Sequence, residues 1–311
     1  MMNALDVPTL PTALPNAGSV RAWLLATRPK TLTAALVPIA VGTALAHGMR
    51  ISVHPGLSGL ALLSSFLIQI GTNFINDAMD FKKGADNEER LGPVRATASG
   101  LLSHRAVWCA GILAFIAASL VALPLLRVGG WPILFIGAAS VLAGYLYTGG
   151  PYPLAYRGLG DLFVLIFFGW VAVMGMAFLQ GDSWSFSAWI AGTQVGLLSV
   201  SLIAINNLRD HIGDRKSGKK TLAVRLGVRK AKGEILVSLG LPYILGGYWG
   251  FAADRSWAMA LPMLSLPLAV KLMRSILRTD PGTAYNRFLA KAAGVHLTFG
   301  ILLAIGLWVA Y

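Results

Sequence analysis

The chain has 311 residues, 56% hydrophobic and only 13% charged, with 26 Lys and Arg against 13 Asp and Glu. Soluble domains are about a quarter charged and disordered chains are poor in hydrophobic residues, so a mean hydropathy of +0.66 excludes both for the chain as a whole. A formal charge of +13 in this setting fits a membrane protein with basic cytoplasmic loops better than a nucleic-acid binder.

Residues 1–20 contain Pro8, Pro11 and Pro15 and no Lys or Arg. They lack the basic start and apolar core of a secretory signal and read as a disordered, retained tail ahead of a single domain, 21–311. Nine apolar runs follow, at 31–47, 57–74, 106–126, 131–147, 161–179, 188–205, 234–253, 257–272 and 294–311. Each is near the roughly 20 residues that span a bilayer as a helix. Backbone groups in lipid must be satisfied within the segment, and none of the runs alternates as a barrel strand does. The expectation is an all-α, polytopic membrane protein with nine transmembrane helices. Cys109, the single cysteine, excludes an internal disulfide and is expected to pack inside its run.

With the N-terminus cytoplasmic, the tail and the loops after runs two, four, six and eight hold 23 of the 26 basic residues. That bias sets the orientation in a plasma (cytoplasmic or inner) membrane, with the C-terminus outside. Two inner loops, 74–105 and 206–232, are long and polar and carry seven of the thirteen acids. They follow runs two and six.

The first loop region reads Asn73-Phe-Ile-Asn76-Asp77-Ala-Met-Asp80, with Gly84 and Asp86 beyond. If run two continues inward as a helix, Asn73, Asn76, Asp77 and Asp80 share one face. The second reads Asn206-Asn-Leu-Arg209-Asp210, then Asp214, Lys219 and Lys220, and Asn206, Asp210 and Asp214 repeat every four residues. Asn76, Asp80 and Gly84 take the same step. Carboxylates one turn apart repel, so nearby Lys and Arg or a divalent cation must offset them. Mg²⁺ favours one or two carboxylates together with substrate phosphates. Two acidic faces flanked by Lys and Arg therefore suit a Mg²⁺-bound diphosphate.

These motifs, with Arg28-Pro-Lys30-Thr, Arg90-Leu-Gly-Pro-Val-Arg95, Tyr147-Thr-Gly-Gly-Pro, Gly158-Leu-Gly-Asp161 and Thr221-Leu-Ala-Val-Arg-Leu-Gly227, stand in the order seen in a known family. The chain resembles the UbiA superfamily of intramembrane aromatic prenyltransferases, nine helices around a central cavity. Within it, the Gly-Pro-x-Arg and Thr-Leu-Ala-Val-Arg-Leu-Gly stretches resemble the 1,4-dihydroxy-2-naphthoate polyprenyltransferase branch of menaquinone synthesis. The hydroxybenzoate branch usually has Arg-Pro in place of the former and an Asp where Gly84 stands, so the resemblance moves one first-motif ligand to Asp86.

The resemblance implies that Asp77, Asp80, Asp86, Asp210 and Asp214 hold Mg²⁺ bridging a polyprenyl diphosphate. It also implies that Lys30, Asn73, Asn76, Arg90, Arg95, Tyr147, Asn206, Arg209, Lys219 and Lys220 bind substrate or stabilise the leaving group. The acceptor would be 1,4-dihydroxy-2-naphthoate, decarboxylated to demethylmenaquinone, with the isoprenoid tail in membrane lipid and no nucleic acid involved. Tyr147, Tyr152 and Phe74 are candidates to face the allylic cation. Arg157 and Asp161 are spaced to pair at the start of run five. His104 and His211 read as solvated loop residues, and Trp131, Trp184, Trp189 and Trp257 as interfacial anchors. Other acceptors such as 4-hydroxybenzoate are the alternative. A transporter fits less well, because the acids cluster at one face and not at mid-membrane.

Overall fold

The computed structural model describes residues 14–86, 90–181 and 184–309. Residues 1–13 of the expected tail lie outside these; the remainder leads into the first helix, with Gly18 N–H donating to the Leu101 carbonyl at 2.9 Å. Helix α1 (Val20–Thr27) starts at Ser19, whose hydroxyl accepts from Ala22 N–H, and ends at Arg28 in the left-handed region. Then come α2 (Thr33–Gly48), α3 (Pro55–Lys82), α4 (His104–Leu146), α5 (Gly160–Leu179) and α6 (Phe186–Lys216). They are followed by α7 (Leu222–Leu245), α8 (Ser256–Met263), α9 (Leu266–Arg278) and α10 (Tyr285–Val309), with one extra turn at Gly247–Phe251. No strand occurs among the described residues.

Two differences from the expected spans position the site. Helix α3 continues past residue 74 to Lys82, and α6 continues past 205 to Lys216. The first turns of both polar loops are therefore helical, which puts the acids on ordered faces. Runs three and four merge into α4, broken at Gly130 (φ 58°, ψ −146°), a backbone conformation that suits glycine. By length and hydropathy, five of the described helices reach membrane-spanning size, or seven if the bent pairs α1–α2 and α8–α9 each count once. The expected nine are not reached on that criterion.

The main core joins Val41 and Leu45 of α2, Val173 of α5, Val195 and Leu198 of α6, Leu239 of α7 and Phe299 and Leu303 of α10. Lipid tails are as apolar as these side chains, so close packing rather than water exclusion holds such helices together. Glycines allow it at α5–α6, where a Cβ on Gly196 would lie 2.9 Å from Gly169 Cα. A second cluster packs Ala22, Phe74, Ala96, Leu101 and Val107 together, which seats the first motif loop against α1, α3 and α4.

Outside, large apolar side chains stand bare: Leu113, Ile116 and Leu120 on one arm of α4 and Phe135 on the other. Water would not tolerate so extended a surface, whereas lipid does. The chain is a multi-pass membrane protein. Trp131, Trp184, Trp189 and Trp257 are all exposed, as interfacial anchors are. Cys109 is exposed as well, contrary to the expected packing, because it falls on the outward face of α4.

Candidate active site

Asp80 is the centre of the site. It is buried on the last turns of α3 and accepts from Tyr156 Oη at 2.9 Å and from Lys219 Nζ at 3.1 Å, with Arg95 at 3.6 Å. Lys219 reaches it from just beyond α6, where its backbone N–H donates to the Asp214 carbonyl at 2.8 Å. Asp214 lies within electrostatic reach of both Asp210 and Asp80, so the two motifs converge. Burial lowers the Lys219 ammonium pKa, but Asp80 and Asp214 outweigh it and the net shift is upward. Lys219 therefore stays charged.

Asp86 pairs with Arg90 and, at 3.2 Å, with Arg95. Burial pushes its carboxyl up to about 6 despite Arg90. Asn76 accepts from Thr148 Oγ1 at 2.8 Å, and Lys83 donates to the Thr148 carbonyl at 2.5 Å, which ties the motif to the turn after α4. Lys83 and Lys219 both lie over the Tyr156 ring, at 4.4 and 5.0 Å.

Several expected roles change. Asp77 is 1% exposed and spends its two oxygens on the backbone N–H groups of Ala96 and Thr97, both at 3.1 Å. It shapes the first loop. Asn73 donates to the Thr27 carbonyl and to Thr31 Oγ1, bracing the corner after α1. Arg209 is already engaged: Nε and one terminal nitrogen hold Asp210, the same nitrogen holds Asn206, and the other donates to Asn286 of α10. Asn286 in turn donates to the Leu91 carbonyl at 2.8 Å, and a Cβ on Gly92 would lie 2.6 Å from the guanidinium. Arg209 thus clamps the second motif to the first loop, with four of its five N–H groups already bonded.

Lys30 and Lys220 are exposed. The residue that helix one brings inward is Arg28, which lies within reach of Asp77, Asp86 and Asp80. Its left-handed backbone, φ 52°, turns it there, and the following proline disfavours a helical alternative. At the site, buried guanidinium nitrogens of Arg28 (Nη2) and Arg95 (Nη1) have no hydrogen-bond partner.

Tyr152 is on the surface under Arg157, 4.2 Å from it, so the Arg157–Asp161 pair does not form. Phe74 is core, edge-on to Trp23. His104 and His211 bond only to the Ala78 and Leu208 carbonyls. Sequence reasoning passed over Arg28, Lys83, Tyr156 and Asn286. The Arg-Pro step and Tyr156, nine residues after Tyr147 in the same turn region, were the available signals; nothing in the sequence singles out Asn286.

A family model described as "UbiA prenyltransferase family" matches residues 35–310. The chain belongs to the UbiA prenyltransferase family. It is 35% identical over 295 residues to the 1,4-dihydroxy-2-naphthoate octaprenyltransferase of Escherichia coli (strain K12), covering 93% of this chain and 95% of that one. The protein of the same description from Bacillus subtilis (strain 168) is 32% identical over 290 residues, covering 93% and 92%. A solved UbiA homolog from Archaeoglobus fulgidus bound to DMAPP and Mg²⁺ superposes with a TM-score of 0.61 at 17% identity, over 91% of this chain and 99% of that one. At that identity the likeness speaks for the fold.

This UbiA chain offers only hard oxygen donors at the site: carboxylates and the amide oxygens of Asn76 and Asn206. Among the described residues, no three His, Cys, Asp or Glu side chains converge on one point as a ready metal cage. Asp80, Asp86 and Asp210 each pair with a Lys or Arg, Asp214 lies within electrostatic reach of Lys219, and Asp77 within reach of Arg28.

Proposed function

We propose that this chain transfers a polyprenyl group from a polyprenyl diphosphate to 1,4-dihydroxy-2-naphthoate, with loss of CO₂, giving demethylmenaquinone. The observation that carries the reading is the Asp80–Lys219 pair between the motifs, beside buried guanidinium nitrogens on Arg28 and Arg95 that lack partners. Buried donors without acceptors are costly, and an arriving phosphate oxygen satisfies them. The acceptor follows the relatives, which cover nearly the whole chain.

Asp80, Asp86, Asp210 and Asp214, with Asn76 and Asn206, are the residues that would hold Mg²⁺; Asp77 is not one of them. Bound there, Mg²⁺ would neutralise the diphosphate. Arg28, Arg95 and Lys219 donate to the diphosphate oxygens, where negative charge grows as the allylic C–O bond breaks. Tyr156 keeps Asp80 oriented. The burial of these groups and the surrounding lipid exclude water that would trap the allylic cation. Tyr147 is the aromatic left to face that cation. A 4-hydroxybenzoate-type acceptor is the alternative within the family.

The topology proposed is nine spans in one domain over 21–311, with Gly130 as the turn between the third and fourth and α7 contributing the seventh. The motif loops face the cytoplasm, in the cytoplasmic or inner membrane, and the isoprenoid tail lies in lipid.

An assay in detergent with polyprenyl diphosphate and either 1,4-dihydroxy-2-naphthoate or 4-hydroxybenzoate tests the reading. Mg²⁺-dependent product with release of CO₂ from the naphthoate alone supports it. Turnover only with hydroxybenzoate, or undiminished in EDTA, overturns it.

A further inference from the structure

Asp161 belongs to neither acidic motif. It lies in the first turn of α5, is 4% exposed, and has both carboxylate oxygens buried without a hydrogen-bond partner. The basic side chains around it are turned elsewhere. Arg157 lies over Tyr152, and the Arg225 guanidinium donates to the Arg157 and Lys220 carbonyls at 2.8 and 3.0 Å. The titratable neighbours within reach are Tyr147 and Glu234 of α7, neither of them a cation.

A buried carboxylate without a donor is among the least favourable groups in a folded chain. One that persists is completed by something from outside. Tyr147 indicates where that is. Its phenol packs onto the start of α5, where a Cβ on Gly160 would lie 3.0 Å from the hydroxyl. The same phenol is within reach of Asp161, Asp80 and Asp214. Tyr147 therefore neighbours both Asp161 and the diphosphate end of the site. Just beyond it Phe163 and Phe167 stack at 5.9 Å, and the helix widens to a π-helix over Leu165–Val171, a local feature common at functional sites.

The missing donor is neutral or cationic. A metal at Asp161 lacks further converging ligands among the described residues. The acceptor's own carboxylate would repel it. A phenolic hydroxyl is the donor that the reaction itself brings.

We propose that Asp161 accepts a hydrogen bond from a ring hydroxyl of the aromatic acceptor, fixing that ring beside Tyr147. This rests on the reading given under the proposed function. The bond also draws the O–H dipole toward the carboxylate and leaves the ring richer in electrons for attack.

The test uses the full chain in detergent with Mg²⁺. In Asp161→Asn, kcat/KM for 1,4-dihydroxy-2-naphthoate falls roughly 10- to 100-fold, the range for a hydrogen bond to a charged group, while KM for the polyprenyl diphosphate stays within about twofold. Asp161→Glu recovers part of the loss and carries the test if the Asn variant does not fold. The two monomethyl ethers of the naphthoate supply a second readout. One of them costs the wild type as much as Asp161→Asn does, and costs Asp161→Asn nothing more. Unchanged kcat/KM in Asp161→Asn overturns the proposal. So do equal losses for both substrates, or ether and mutant losses that simply multiply. If the wild type turns over 4-hydroxybenzoate and not the naphthoate, the acceptor reading fails by itself. Asp161 is then judged by the same comparison of 4-hydroxybenzoate with 4-methoxybenzoate.

Discussion

Lys219 Nζ lies 3.1 Å from Asp80 Oδ2, joining residues 139 positions apart whose side chains are 13% and 2% exposed. Removing one partner of a buried pair leaves the other charge uncompensated, at about 3–5 kcal/mol. Lys219→Met therefore lowers both the melting temperature and turnover, the latter roughly 100-fold. Adding Asp80→Asn costs less stability than the two single changes summed, with a coupling of about 1–3 kcal/mol in thermal melts. Additive losses would mean that the pair does not bind the motifs together.

Asp77 and Asp80 are three residues apart and do different work. Asp77→Asn loses charge-assisted acceptance from Ala96 and Thr97 N–H, and stability falls by about 1–3 kcal/mol. Its half-saturating Mg²⁺ concentration stays that of the wild type. Asp80→Asn and Asp210→Asn remain folded and nearly abolish transfer at saturating Mg²⁺. A Mg²⁺ titration of each variant, with melting curves, separates the two cases.

Arg209 holds three side chains, Asn206 and Asp210 of its own helix and Asn286 of α10, with one planar fork. Arg209→Lys keeps the charge but loses the geometry, since an ammonium cannot reach Asp210, Asn206 and Asn286 together. Protease cleavage in 91–95 becomes faster and turnover drops. Gly92→Ala gives the same phenotype, because its Cβ would stand 2.6 Å from the guanidinium. Wild-type protease resistance in both variants would remove Arg209 from its clamping role.

Asp86 provides a pH signature. Burial raises its pKa from 3.8 to about 6, so between these values the folded chain holds the proton more tightly than the unfolded one. Stability therefore rises as pH falls from about 7 toward 4, and is lost as pH rises through about 6. In EDTA, melting curves from pH 4 to 7 display this slope. Asp86→Asn reduces it.

The all-helical membrane class, the family and the two acidic motifs were legible from residue order alone. Twenty apolar residues in a row have few ways to satisfy their backbone in lipid, and a four-residue repeat of Asn and Asp has one face on a helix. The shared helical face puts Asp77, three residues earlier, beside Asp80 and makes the two look alike. Only the fold turned Asp77 onto the backbone of residues 96 and 97. Arg209 looked like a diphosphate ligand by its position next to Asp210; its partner Asn286 is 77 residues away. Lys30 was favoured over Arg28 because sequence position says nothing of a left-handed corner.

What the sequence determined by itself is set by short-range physics: hydropathy over a bilayer's thickness, helical period, the asymmetry of Lys and Arg, and motif order. Tertiary structure decided which charged groups meet. Lys219 on Asp80, Arg28 turned inward, Arg209 closed on Asn286 and Asp161 left without a donor are all outcomes of packing between distant helices. A buried charge is defined by the atoms around it, and those atoms come from other parts of the chain.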